Sequence, residues 1–221
     1  MQRFTLIHDG SDQGWQAAYL AFRIAAQLGA PLLVLLADSA SDKKMLAERA
    51  AQVEVGGHAA RVAIESHLVT DFSVDTVMKK KNNCDGLFAP LRLIPDEKTA
   101  RSFLEALSCP LWIVSNEAEM HGLSILVGEP ASDAALVRYV SVLAKRIQQP
   151  LTGLVRESEL ASISKANTDV NWRSLAAISS VEINTALNQL GTSLLFVPVS
   201  SLSLTEGLSV NYVICPPLQD A

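Results

Sequence analysis

Asp9, Gly10 and Ser11 follow a short apolar stretch from Arg3 to His8 and are the first residues suited to holding a ligand. A carboxylate beside a glycine and a hydroxyl can hydrogen-bond a polar ligand, and the glycine lets that ligand approach the backbone. Asp-Gly-Ser is equally good chemistry for an Asx-turn or a helix cap, so both uses stand open at Asp9. Asp38 ends a second apolar run, and Pro90 and Arg92 end a later one. Arg92 could hold an anion beside Asp9, or be a solvated surface arginine.

Other chemistries find no constellation, so no catalytic residue is expected and the chain reads as a non-enzyme. Ser11 and Ser132 lack a surrounding G-x-S-x-G elbow and read as cap or turn residues. Carboxylates are plentiful, but no pair can be placed at an acid–base separation. His8, His58, His67 and His121 show no H-x-x-x-H spacing, and no metal site is expected. Cys84, Cys109 and Cys215 are an odd number without close pairing, which reads as thiols in a reducing compartment. A net charge of -5 argues against nucleic acid, and the one basic run, Lys79-Lys80-Lys81, ends a helical pattern. No apolar run approaches the ~18 residues of a membrane span, and the N-terminus lacks a signal-peptide pattern. Cytoplasmic residence is the expectation.

The elements that must position these residues come in two copies. Phe4-Thr5-Leu6-Ile7 aligns with Leu123-Ser124-Ile125-Leu126, 119 positions later, and Ala30-Pro31-Leu32 aligns with Gln149-Pro150-Leu151 at the same offset. Leu87-Phe88-Ala89-Pro90 recurs as Leu195-Phe196-Val197-Pro198. The 221 residues are 49% hydrophobic, enough for two small cores, and divide into domains 1–115 and 122–221. In the first copy, strands are expected at Arg3 to His8, Pro31 to Ala37, Ala60 to Leu68, Gly86 to Ala89 and Leu111 to Val114. Helices fall at Gln13 to Leu28, Ser41 to Val53, Asp71 to Lys81 and Asp96 to Leu107, with Gly56-Gly57 breaking the second. In the second copy, strands are expected at Leu123 to Val127, Leu151 to Val155, Trp172 to Ile178, Ser193 to Val197 and Tyr212 to Cys215. Helices fall at Ser132 to Gln148 and Val181 to Leu190, and a shortened or lost one lies between Glu157 and Val170. This alternation predicts α/β architecture: two tandem, open, mostly parallel five-stranded sheets with helices on both faces. Ligands in such sheets sit beyond the carboxyl ends of the strands where strand order reverses. That places one site near Asp9, Asp38 and Pro90, and its counterpart near Gly128, Glu129 and Pro198.

Leu6-Ile7-His8-Asp9-Gly10-Ser11, Asp85-Gly86-Leu87-Phe88-Ala89 and Ser108-Cys109-Pro110-Leu111-Trp112-Ile113-Val114 together resemble the universal stress protein family. The second copy resembles it less closely, with Gly128-Glu129-Pro130 in place of the D-G-S turn. The resemblance implies a stress-response or regulatory role, a Rossmann-like fold and a tendency to dimerise. The resemblance implies that the two copies form an intramolecular pseudo-dimer, paired through their last strands, and a homodimer is also open. Nucleotide-binding members carry a G-x2-G-x9-G-[ST] segment whose glycines let backbone N–H groups reach phosphate oxygens. Here Pro90-Leu91-Arg92-Leu93 and Pro198-Val199-Ser200-Ser201 stand at that place, and proline has no N–H to donate. No cofactor is therefore expected, ATP included, unless an altered cradle binds nucleotide.

The first helix differs between the copies. Leu136, Val140, Leu143, Ala144 and Ile147 match Ala17, Ala21, Ile24, Ala25 and Leu28 on the sheet-facing side. On the other side, Arg138 and Ser141 match Tyr19 and Phe22, with Trp15 one turn earlier. An aromatic stripe there needs cover by a loop of the same chain or by a neighbouring domain or subunit, and the neighbour is the expectation.

Overall fold

The computed structural model describes residues 3–37, 43–80, 84–115 and 120–218. Two compact units divide the chain, Met1–Ala118 and Glu119–Ala221.

In the first unit the elements are β1 (Phe4–His8), α1 (Asp12–Leu28), β2 (Leu32–Leu36), α2 (Lys43–Ala59), β3 (Ile64–Leu68), α3 (Val74–Lys80), β4 (Gly86–Pro90), α4 (Glu97–Leu107) and β5 (Leu111–Val114). Their strands pair in the order β3-β2-β1-β4-β5, all parallel. The central strands are apolar runs, buried along their whole length, as a sheet covered on both faces requires. The edge strand β3, Ile-Glu-Ser-His-Leu, is only partly covered and carries the polar residues an edge tolerates. Phe4 meets Phe88 edge-on at 5.6 Å, and Phe88 stacks on Trp112 at 4.8 Å, tying β1, β4 and β5 on one face.

The second unit comprises β6 (Leu123–Leu126), α5 (Ala134–Arg146), β7 (Leu151–Arg156), α6 (Leu160–Ala166), β8 (Asn171–Leu175), α7 (Ser180–Leu190), β9 (Leu194–Pro198) and β10 (Asn211–Cys215). The strand order is β8-β7-β6-β9-β10, again all parallel, so the two copies share one topology. The second copy is trimmed twice. Its crossover from β7 to β8 keeps only a 3₁₀ turn, Glu157–Glu159, and the seven-residue α6, and a 3₁₀ segment, Val199–Thr205, replaces a helix between β9 and β10.

Three expectations need correction. Gly56-Gly57 do not break α2, which runs on to Ala59. A Cβ on Gly56 would lie 2.9 Å from the Phe22 ring, and one on Gly57 would collide with Ile64. Both glycines therefore serve close packing of α2 rather than its termination. Phe22, expected on a face awaiting a neighbour, is buried against α2 of its own unit, whereas Tyr19 is 57% exposed. Among the cysteines, Cys84 and Cys109 do come close, with sulfurs 3.6 Å apart. Lys81 of the basic run lies outside the described residues.

Candidate functional site

Strand order reverses between β1 and β4, so the mouth of the first unit lies beyond His8 and Pro90. There the chain's own side chains occupy the backbone donors of the turn. His8 Nδ1 accepts from the Gly10 N–H at 2.9 Å, and Asp9 Oδ1 accepts from the Ser11 N–H at 3.1 Å. Ser11 Oγ donates to the same Asp9 oxygen at 2.6 Å and accepts from the Gly14 N–H at 3.0 Å, which caps α1. This is an Asx-turn leading into an N-cap.

Asp9 Oδ2 faces Arg92 Nε at 2.9 Å, close enough for an ion pair although not aligned as a hydrogen bond. The Asp9 side chain is only 6% exposed and Arg92 is 59% exposed, so the pair sits at the lip of the mouth, where solvent weakens it. Pro90 is extended, φ -68 and ψ 143, and leads into a tight 3₁₀ turn, Leu91–Leu93. The Arg92 N–H points to Gln13 Oε1 at 3.3 Å, while Gln13 Nε2 donates to the Ser115 carbonyl at 3.3 Å. Gln13 thus ties the turn after β4 to the end of β5. Asp38 lies outside the described residues.

Two glycines make room for this arrangement. Gly10 has φ +78, and a Cβ there would run into the guanidinium of Arg49 from α2. Gly14 lets the start of α1 approach Asp9, since a Cβ there would lie 2.5 Å from Oδ1. His8 is 1% exposed and packs edge-to-face on Trp15 at 4.3 Å. Burial pushes its pKa down to about 4; Asp9 pulls upward and Arg49 adds to the lowering. A neutral imidazole accepting at Nδ1 carries its proton on Nε2.

The corresponding mouth of the second unit is built differently. A buried carboxylate, Asp133 at the start of α5, accepts from the Gly128 N–H at 2.8 Å and the Glu129 N–H at 3.0 Å through one oxygen, Oδ2. The hydroxyl of Ser201 closes over Gly128, where a Cβ would lie 3.1 Å from Oγ. Pro198, φ -67 and ψ 149, repeats the conformation of Pro90. Ser132 donates to the Glu129 carbonyl at 3.1 Å and lies 3.3 Å from the Glu129 carboxylate, both contacts within one turn.

The structure therefore brings Asp9, Gly10, Ser11, Pro90 and Arg92 to one mouth. It adds His8, Gly14 and Arg49 there and, at the mouth of the second unit, Asp133, which reading the motifs alone overlooked. At the 119-residue offset, Asp9 matches Gly128 and Gly14 matches Asp133; that exchange is the signal in the sequence that could have found Gly14 and Asp133. Among the described residues, no group of three or more His, Cys, Asp or Glu could hold a metal ion. No described helix is long and apolar enough to cross a membrane.

No protein-family model and no curated protein matches the sequence. Solved structures do. A universal stress protein from Archaeoglobus fulgidus DSM 4304 is similar over 99% of this chain and 97% of its own, at 12% identity and a TM-score of 0.68. A candidate universal stress protein from Pseudomonas aeruginosa UCBPP-PA14 covers 98% of this chain and 94% of its own, at 12% identity and a TM-score of 0.67. A protein of unknown function from Pseudomonas aeruginosa PAO1 is similar over 98% and 93%, at 11% identity and a TM-score of 0.66. At such identities the likeness is one of fold, and the chain has the α/β fold of the universal stress proteins.

Proposed function

We propose that this chain is a universal-stress-protein-like regulatory protein that performs no catalysis and binds ATP weakly or not at all. One observation carries the reading. At each mouth, backbone N–H groups of the strand-to-helix turn are already bonded to side chains of this chain. In the first unit Gly10, Ser11 and Gly14 donate to His8, Asp9 and Ser11. In the second, Gly128 and Glu129 donate to Asp133, a carboxylate placed where an anionic ligand would sit. A phosphate would have to displace a bonded carboxylate and overcome its repulsion, with no glycine loop offering new donors.

A second reading, nucleotide binding or hydrolysis through an altered cradle, draws on Arg49 and Arg92, two guanidinium groups at the first mouth. Calorimetry with ATP and Mg²⁺ separates the two. We expect no binding tighter than about 100 μM, equivalent to ~5.5 kcal/mol. Nucleotide recovered by mass spectrometry from the denatured, purified protein, or micromolar affinity lost in Arg92→Ser, would favour the second reading.

A further inference from the structure

Cys84 and Cys109 stand just before β4 and β5, adjacent strands paired from Leu87↔Leu111 onward. They lie at the ends of those strands opposite to Arg92. The Cys109 sulfur donates to the Cys84 sulfur at 3.6 Å, and the Cys84 sulfur in turn donates to the Gly86 carbonyl at 3.1 Å. Cys109 is 4% exposed, held between the αL-capped end of α4 at Ser108 and Pro110. Cys84 is partly exposed and outside regular structure. One thiol is thus reachable from solvent, and its partner is fixed behind it. A disulfide needs sulfurs about 2.05 Å apart, so a shift of about 1.5 Å, shared between side-chain rotation and the coil at Cys84, closes the gap.

We propose that Cys84 and Cys109 form a reversible, peroxide-driven disulfide. The Cys84 thiolate attacks hydrogen peroxide, taking one oxygen as a sulfenic acid and releasing hydroxide, which becomes water on protonation. The Cys109 sulfur then attacks the Cys84 sulfur, forms the S–S bond and expels a second water. Overall two thiols and one peroxide give one disulfide and two waters, and a dithiol reverses the change by exchange. The bond encloses β4, the Arg92 turn and α4 in one loop and clamps the starts of β4 and β5 together. Cys215 is 1% exposed and its thiol pKa is raised by burial, so it stands apart from this exchange. The proposal does not depend on how the mouths are used.

Peptide mapping of the reduced full chain tests it directly. After a few equivalents of hydrogen peroxide and alkylation, tryptic digestion without reductant should yield the peptide starting at Asn82 linked to the one starting at Ser102. Dithiothreitol should release the link, and Cys215→Ser should leave it intact. The urea midpoint of the oxidised wild type should exceed that of the reduced form, while Cys84→Ser should show no such difference. The proposal is overturned if peroxide leaves both thiols open to alkylation after unfolding, or carries Cys84 to sulfinic acid without a link. Links that form only between molecules, or that join Cys215 as readily, overturn it equally.

Discussion

The two mouths place a carboxylate beside the start of the first helix from opposite sides. In the first unit it stands at the strand end, Asp9, facing a glycine on the helix, Gly14. In the second the glycine is at the strand end, Gly128, and the carboxylate comes from the helix side, Asp133. The fold thus requires an acceptor there more than it requires a given residue. A strand turning into a helix leaves backbone N–H groups without intrahelical partners, and buried donors must be satisfied. Local chemistry then follows the choice. Ser11 can cap α1 after Gly10, whereas the corresponding Pro130 belongs to a turn in which α5 begins only at Ala134. Arg92 answers Asp9 across the first mouth; its counterpart in the second, Ser200, brings no cation.

The largest effect should come from forcing both solutions into one unit. Gly14→Asp adds a Cβ 2.5 Å from Asp9 Oδ1 and a second carboxylate in a buried place. We expect a loss of about 3 kcal/mol or more in urea denaturation, from overpacking and like-charge repulsion. Adding Asp9→Gly copies the second unit and should recover more than half of that loss. Additive losses in the double variant would show that the two positions are not interchangeable carriers of the charge.

The imidazole sharpens the comparison, because the residue matching His8 is Val127, which does not titrate. The folded state holds the His8 pKa near 4, below the ordinary 6.5. Between these values the unfolded chain binds the proton more readily, so stability rises with pH. It should be lost as pH falls from about 6.5 to about 4, and this contribution should flatten below. The full window is worth on the order of 3 kcal/mol. His8→Asn, which keeps an acceptor near Gly10, should remove that part of the slope in pH-dependent urea melts. An unchanged slope would mean that other groups carry it.

A smaller effect is expected where the first helices end. Gly29 closes α1 at φ 62, whereas the matching Gln148 follows α5 at φ 53, in a region costly for a side chain. Gln148→Gly should raise the thermal midpoint slightly, by about 0.5 kcal/mol of stability after the glycine's greater unfolded-state entropy is counted. A fall would show that the Gln148 side chain makes a contact worth more than the relieved strain.

Much of this molecule was determined by sequence alone. Apolar runs such as Leu32–Leu36 and Leu194–Pro198 are buried on both faces wherever they pack, and Asp96 and Gly29 mark helix ends through local hydrogen bonds and φ. Both are short-range physics, so the α/β alternation, the repeat and the prolines where a glycine cradle would stand were legible. Tertiary structure decided what depends on approach between distant segments. It carried α2 through Gly56-Gly57 because Phe22 and Ile64 needed the space, and it buried Phe22 while leaving Tyr19 exposed. It also brought Arg49 over Gly10 and set Cys84 beside Cys109. No local propensity encodes those meetings, because each is fixed by the register and packing of elements far apart in the chain.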